Sequence, residues 1–200
     1  MSTALTKQLS PNCTAIVDLV CPWGEYYARN QRTIPPLLYA DMAVQSGIGY
    51  DAFGLQFHFG PGVDGMLVRD MFQISSLLDL FAKLGKPLHI TAVEVPSDAL
   101  GRQQGDAGAE PLPASGGQWH GPWSEDGQSQ WLRQFLTIAL SKPFVESVSY
   151  HGLADNKRHA VPFAGLLRAD LEPKPAYQDW MKIRSEIQSE TRRKAFDVGS

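Results

Sequence analysis

The stretch KPLHITAVEVPS, residues 86–97, decides how the chain is read. It is a short run of mostly aliphatic residues with a proline near each end, the pattern of a buried strand. Three more runs share it: TAIVDLVC at 14–21, YDAFGLQFHFG at 50–60 and FVESVSYHGLAD at 144–155. Helical patterns separate them. TIPPLLYADMAVQSG, 33–47, starts at a proline pair and stops at Gly47, as helices do. DGMLVRDMFQISSLLDLFAKLG, 64–85, is expected to be one long amphipathic helix, with Asp64 as its cap and Gly85 beyond its end. Residues 129–143 and 174–194 give two further helices.

The resulting order, β-α-β-α-β-α-β-α, implies a parallel sheet covered by helices. It fits an open doubly wound sheet or part of a (β/α)8 barrel. After the first strand, CPWGEY at 21–26 holds a single glycine and no phosphate-cradling pattern, which argues against a nucleotide-binding open sheet. Four units make half a barrel, since a whole one takes roughly 250 residues.

A net charge of -3 offers no basic stripe for nucleic acid. No run approaches the roughly 18 apolar residues of a membrane span. Cys13 and Cys21 are too few for a disulfide framework or a four-ligand zinc site. The first residues, MSTALTKQLSPNC, lack the charged start and apolar core of a secretory signal. The chain as written is therefore expected in the cytoplasm, or secreted or periplasmic if a segment precedes it.

Residues 97–129 break the rhythm, being rich in Gly, Ala, Pro, Ser and Gln. Loops of this length are commonly functional or disordered, and one that follows a barrel strand lies on the active-site face. Trp119, His120 and Trp123 suit a lid with aromatic platforms; the alternative is an insertion whose tryptophans pack back onto the barrel.

DAFGLQFHF at 51–59, KPLHITAVEVPS at 86–97, VSYHGLAD at 148–155 and GLLRADLEPKPAYQDW at 165–180 together resemble the second half of a glycoside hydrolase family 10 enzyme, the xylanase family. The likeness runs from about Thr14 to Trp180, and the Pro-Lys-Pro-Ala-Tyr run is its most specific part. PWGEYYARN and PPLLYADMAVQSGI point to a bacterial side-branch. The fold this implies is α/β: a partial TIM (β/α)8 barrel, strands five to eight with their helices. Residues 1–182 would be that half barrel, with 97–129 as its long loop, and 183–200 a polar helix end and tail carrying Arg184, Arg192, Arg193 and Lys194.

The resemblance also implies retaining hydrolysis of xylan by two carboxylates roughly 5–5.5 Å apart. Carried over residue by residue, Thr91 matches the family's threonine, Ala92 takes the nucleophile's place, and Glu94 takes that of the acid two residues later. The family's general acid belongs to the fourth strand, ahead of this stretch. His151 stands where the family has a tryptophan under the sugar.

Ala92 and Glu94 share a face because strand side chains alternate. Glu94 lies roughly 6–7 Å further along the strand, so it is either a displaced carboxylate, acting on a sugar hydroxyl or a water, or a rim acid that is solvated or paired with an arginine. Gln56 and His58 share a face likewise and are expected to line a sugar site, with His58 deprived of the charged partner that position 92 would supply. Trp23 beside Glu25, and Trp119 and Trp123, are the candidate stacking surfaces, the alternative for the first two being a loop acid beside a packed indole. Asp18, in mid-strand, must reach a polar interior or a cation.

Three functions follow: a family 10-like hydrolase in which Glu94 is the candidate catalytic residue; a non-catalytic xylan-type carbohydrate binder using Gln56, His58, His151, Trp23, Trp119 and Trp123; and a metal-dependent hydrolase through His58, Glu94 and His151, a set that can hold a metal with open positions. No cofactor is expected. The open edges of a half barrel invite a complementary half barrel or self-association.

Overall fold

The computed structural model describes residues 2–29, 33–99, 114–156 and 159–197. Its elements are α1 Ser2–Leu9, β1 Ile16–Val20, α2 Glu25–Ala28, α3 Pro36–Gln45, β2 Ala52–His58, α4 Met71–Ala82, β3 Leu88–Glu94, α5 Glu125–Ser141, β4 Val145–Tyr150 and α6 Pro175–Asp197. The four strands are parallel and adjacent in chain order, β1-β2-β3-β4. This is the partial (β/α)8 barrel of four successive units. The expected strands and main helices are present; α1 and the short α2 are additional.

One face of the sheet is apolar and covered by helices. Phe53, Leu55 and Phe57 of β2, with Leu88, Ile90 and Val93 of β3, are fully buried there. They join Ile74, Leu78 and Phe81 of α4 and Trp131, Leu132 and Phe135 of α5 in one core. The other face carries the alternate residues, including Asp18, Gly54, Gln56, His58, Thr91 and Glu94. A bulge keeps its phase: Leu55 pairs with Ile90, but Gln56 pairs with Ala92, so Thr91 is an extra residue in β3. The pairing of β3 with β4 is offset over the same residues, Ile90 with Val148 and Val93 with Tyr150.

The long helix expected from residue 64 begins later. Asp70, not Asp64, is the cap: its carboxylate accepts from the Gln73 N–H, and the Gln73 side chain returns a bond to the Asp70 N–H. Two tertiary contacts occupy the preceding residues, the Val68 N–H donating to the Gly116 carbonyl at 3.1 Å and Asp64 pairing with Arg29.

The long loop is shorter than expected, since α5 starts at Glu125 with Ser124 as its cap. Residues 100–113 lie outside the described residues. Further on, Gly116 N–H donates to the Gly60 carbonyl at 2.6 Å and Gly62 N–H to the Ala114 carbonyl at 2.7 Å. A Cβ at Gly116 would sit 2.2 Å from the Pro61 oxygen, so only glycine allows this approach. In the C-terminal tail, Arg184 is exposed, while the side chains of Arg192, Arg193 and Lys194 lie outside those described.

Candidate functional site

The open face is polar because neighbouring strands present polar residues in register. Asp18 pairs with Gly54, Gln56 with Ala92, and His58 with Glu94. Gly54 matters here: a Cβ on it would lie 2.3 Å from Asp18 Oδ1 and 2.9 Å from Thr91 Cγ2. Its bare backbone lets the exposed Asp18 reach across β2. Asp18 Oδ1 accepts from the Thr91 hydroxyl at 2.6 Å, and Oδ2 accepts from Gln56 Nε2. Among the described residues Asp18 thus meets polar side chains of the open face, Thr91 and Gln56, and no cation.

The chain of contacts continues. Gln56 Oε1 faces His58 Nε2 at 3.3 Å, and His58 Nδ1 meets Glu94 Oε1 at 2.7 Å. Glu94 is 0% exposed and His58 6%. Glu94 Oε2 is buried without a hydrogen-bond partner among the described residues. The exposed His151 sets its ring edge-to-face on His58, centroids 5.5 Å apart, with His159 on its other side at 6.4 Å. Gln56, His58, Glu94 and His151 are therefore brought together.

This arrangement corrects several expectations. Glu94 is neither a solvated rim acid nor paired with an arginine; parallel pairing in register sets it directly beside His58. His58 in turn keeps a carboxylate partner, Glu94, although position 92 is alanine. Because one oxygen is held by His58 and the group is fully buried, Glu94 is not a free carboxylate. Nor do His58, Glu94 and His151 form a metal site: among the described residues no group of three His, Cys, Asp or Glu could hold an ion. His58 Nδ1 is engaged by Glu94, and the two imidazoles meet edge to face.

The tryptophans are packed. Trp119 and Trp123 are 9% and 5% exposed and belong to the hydrophobic core, which leaves little ring face for stacking on a sugar. Trp23 packs on Phe57 and Phe59, with centroids 5.4 Å away in each case, and the Arg69 guanidinium lies 5.3 Å from its ring. Arg69 also holds Glu25 as an ion pair. The two residues expected beside a sugar are thus parts of an aromatic–arginine packing unit on the helix-covered side.

A second polar cluster escaped the sequence reading. Lys174, 1% exposed, donates to Asp155 Oδ1 at 2.7 Å, to the Ser97 hydroxyl at 2.8 Å and to the Phe163 carbonyl at 3.1 Å. Burial pushes its ammonium below the usual lysine range, against the opposing pull of Asp155. The cluster ties the segment after β3 to the segments before α6. Its sequence signal was the lysine set between two prolines in EPKPAY.

Neither a family model nor a curated protein sequence matches the chain. Solved structures do. Native xylanase 10B from Thermotoga maritima superposes with a TM-score of 0.62 at 17% identity, over 94% of this chain and 51% of its own. The fold is that of half a family 10 xylanase barrel. Xylanase 10B from Thermotoga petrophila RKU-1, solved with xylobiose, gives a TM-score of 0.61 at 18% identity, over 92% of this chain and 50% of its own. A GH10 endoxylanase from a sugarcane soil metagenome gives 0.60 at 18% identity, over 90% and 52%. The chain spans about half the length of these xylanase barrels, and at such identities the likeness is one of fold.

Proposed function

We propose that the open face of this xylanase-like half barrel binds a xylan-type oligosaccharide and does not by itself perform the retaining hydrolysis associated with the fold. The carrying observation is the pair at positions 92 and 94. A retaining glycosidase needs a carboxylate free to attack the anomeric carbon. On the motif carry-over the nucleophile's place falls to Ala92, which has no carboxylate to offer, and the observed acid of the strand, Glu94, is buried with one oxygen on His58. Gln56, His58 and the exposed His151 are the groups that would meet sugar hydroxyls.

The sheet supports a partner as well. Ile16 and Val20, on the open side of β1, are 38% and 44% exposed. A groove lined by Leu136, Val148, Trp180, Ile183 and Ile187 runs beside β4. We infer that a second set of βα units, from another copy or another stretch of polypeptide, covers these edges, and that any hydrolytic activity belongs to the completed barrel.

Calorimetric titration with xylotetraose tests the binding reading. The expected result is saturable heat, with Gln56→Ala and His151→Ala each weakening binding about tenfold, the scale of one lost hydrogen bond. No heat and no rise in Tm at millimolar sugar would remove the proposal. Turnover of an aryl xyloside by this chain alone would overturn its non-catalytic half.

A further inference from the structure

We propose that Asp18 is a positioning residue that fixes the proton arrangement of the buried His58–Glu94 pair through Gln56, making His58 a hydrogen-bond donor at Nε2. An ionised carboxylate only accepts hydrogen bonds, whereas a glutamine amide has a donating nitrogen and an accepting oxygen. Both Asp18 oxygens are engaged, Oδ1 by the Thr91 hydroxyl and Oδ2 by Gln56. The end of Gln56 that faces Asp18 must therefore be the amide nitrogen. Its oxygen then faces His58 Nε2 at 3.3 Å. Two acceptors cannot bond to each other, so His58 Nε2 carries a hydrogen.

That hydrogen constrains the other ring nitrogen. With Nε2 protonated, the 2.7 Å contact between His58 Nδ1 and Glu94 Oε1 takes one of two forms. Either His58 is an imidazolium facing the Glu94 carboxylate, or His58 is neutral and accepts from a protonated Glu94. The pair then holds one proton more than a neutral Nδ1–H imidazole beside a carboxylate with nothing on Nε2. The functional consequence is direct. A base-type His–carboxylate dyad needs a bare Nε2 lone pair to take a proton from a hydroxyl or water. His58 lacks that lone pair, so it offers a donor to a ligand oxygen and cannot act as a general base.

The groups packed around the imidazole agree with this assignment. Gln56 faces it from β2, Glu94 from β3, and His151, from the end of β4, meets it edge to face. Gly54 is the enabling residue, since any side chain there would strike Asp18 Oδ1 and break the relay at its first link. The assignment does not depend on whether xylan is the ligand.

Long-range proton–nitrogen NMR of the imidazoles in the full chain reads it out. The expected wild-type pattern for His58 is a protonated Nε2, either as the neutral Nε2–H tautomer or as the imidazolium. A neutral Nδ1–H ring with bare Nε2 would overturn the proposal. In Asp18→Asn the residue at 18 can donate as well as accept, so Gln56 is free to turn; the expected result is loss of the hydrogen from Nε2, leaving a neutral ring whose Nδ1–H donates to Glu94. An unchanged His58 pattern in that variant would mean that Glu94 alone sets the proton, and Asp18 would lose its role. Gln56→Met removes the connecting amide while leaving Asp18 in place, and the same loss is expected. A retained Nε2–H pattern in Gln56→Met overturns the relay even if Asp18→Asn fails to fold.

Discussion

The two faces of the same sheet obey different rules. On the helix-covered face, residues of β2 and β3 such as Phe53, Leu55, Ile90 and Val93 are fully buried among helix side chains, and their contribution is packing. On the open face, the alternating residues Asp18, Gln56, His58 and Glu94 are linked into a single hydrogen-bonded row across three strands. Strand periodicity separates these roles one residue at a time. The packed face sets stability, and the open face holds the linked polar groups.

Substitutions can sharpen that division. The largest effect is expected inside the packed face. Trp131→Ala or Phe135→Ala, at fully buried positions, should cost about 3–5 kcal/mol, read as a lowered denaturant midpoint in urea unfolding. Next comes the Lys174 cluster. Lys174→Ala leaves Asp155, with a side chain only 16% exposed, without its cation and should cost about 3 kcal/mol.

The cluster also predicts a pH dependence. The folded state lowers the Lys174 value below its ordinary 10.5. In the alkaline window between that lowered value and 10.5, the unfolded chain binds more protons, so unfolding free energy should rise with pH there and be flat in Lys174→Ala. Urea titrations at several alkaline pH values measure the slope.

A smaller loss, about 1 kcal/mol, is expected for Asp70→Ala, which removes the capping box at the start of α4; thermal unfolding checks it. The smallest effect on stability is expected at the open face. Asp18→Asn at an exposed position should leave the urea midpoint unchanged while altering the His58 NMR signals. A large destabilisation there would erase the contrast between the faces.

Much of the fold was legible because the four apolar runs and their helical spacers carry period and punctuation in the sequence itself. The start of α4 was not. Asp64 and Asp70 both precede apolar residues, and only the contacts of Val68 with Gly116 and of Asp64 with Arg29 decide between them. The open-face site was legible by halves. Alternation put Gln56 with His58 and Ala92 with Glu94, but their meeting depends on register between strands 36 residues apart. The tryptophans were legible only as two alternatives: indole chemistry suits a sugar platform, while packing depends on partners such as Phe57 and Phe59 that sequence spacing does not reveal.

The extra residue at Thr91 has a consequence for length variation. Losing a residue from a central strand ordinarily turns every later side chain to the wrong side of the sheet. Here β3 already carries one residue more than β2 along their pairing, and the same place is offset against β4 between Ile90 and Val93. Removing Thr91 would straighten the strand and leave Val93 facing the helices and Glu94 facing His58, whereas removing Ile90 or Val93 would take a core side chain with it. The middle of this buried strand therefore has one place where the chain can shorten without exchanging its inside for its outside.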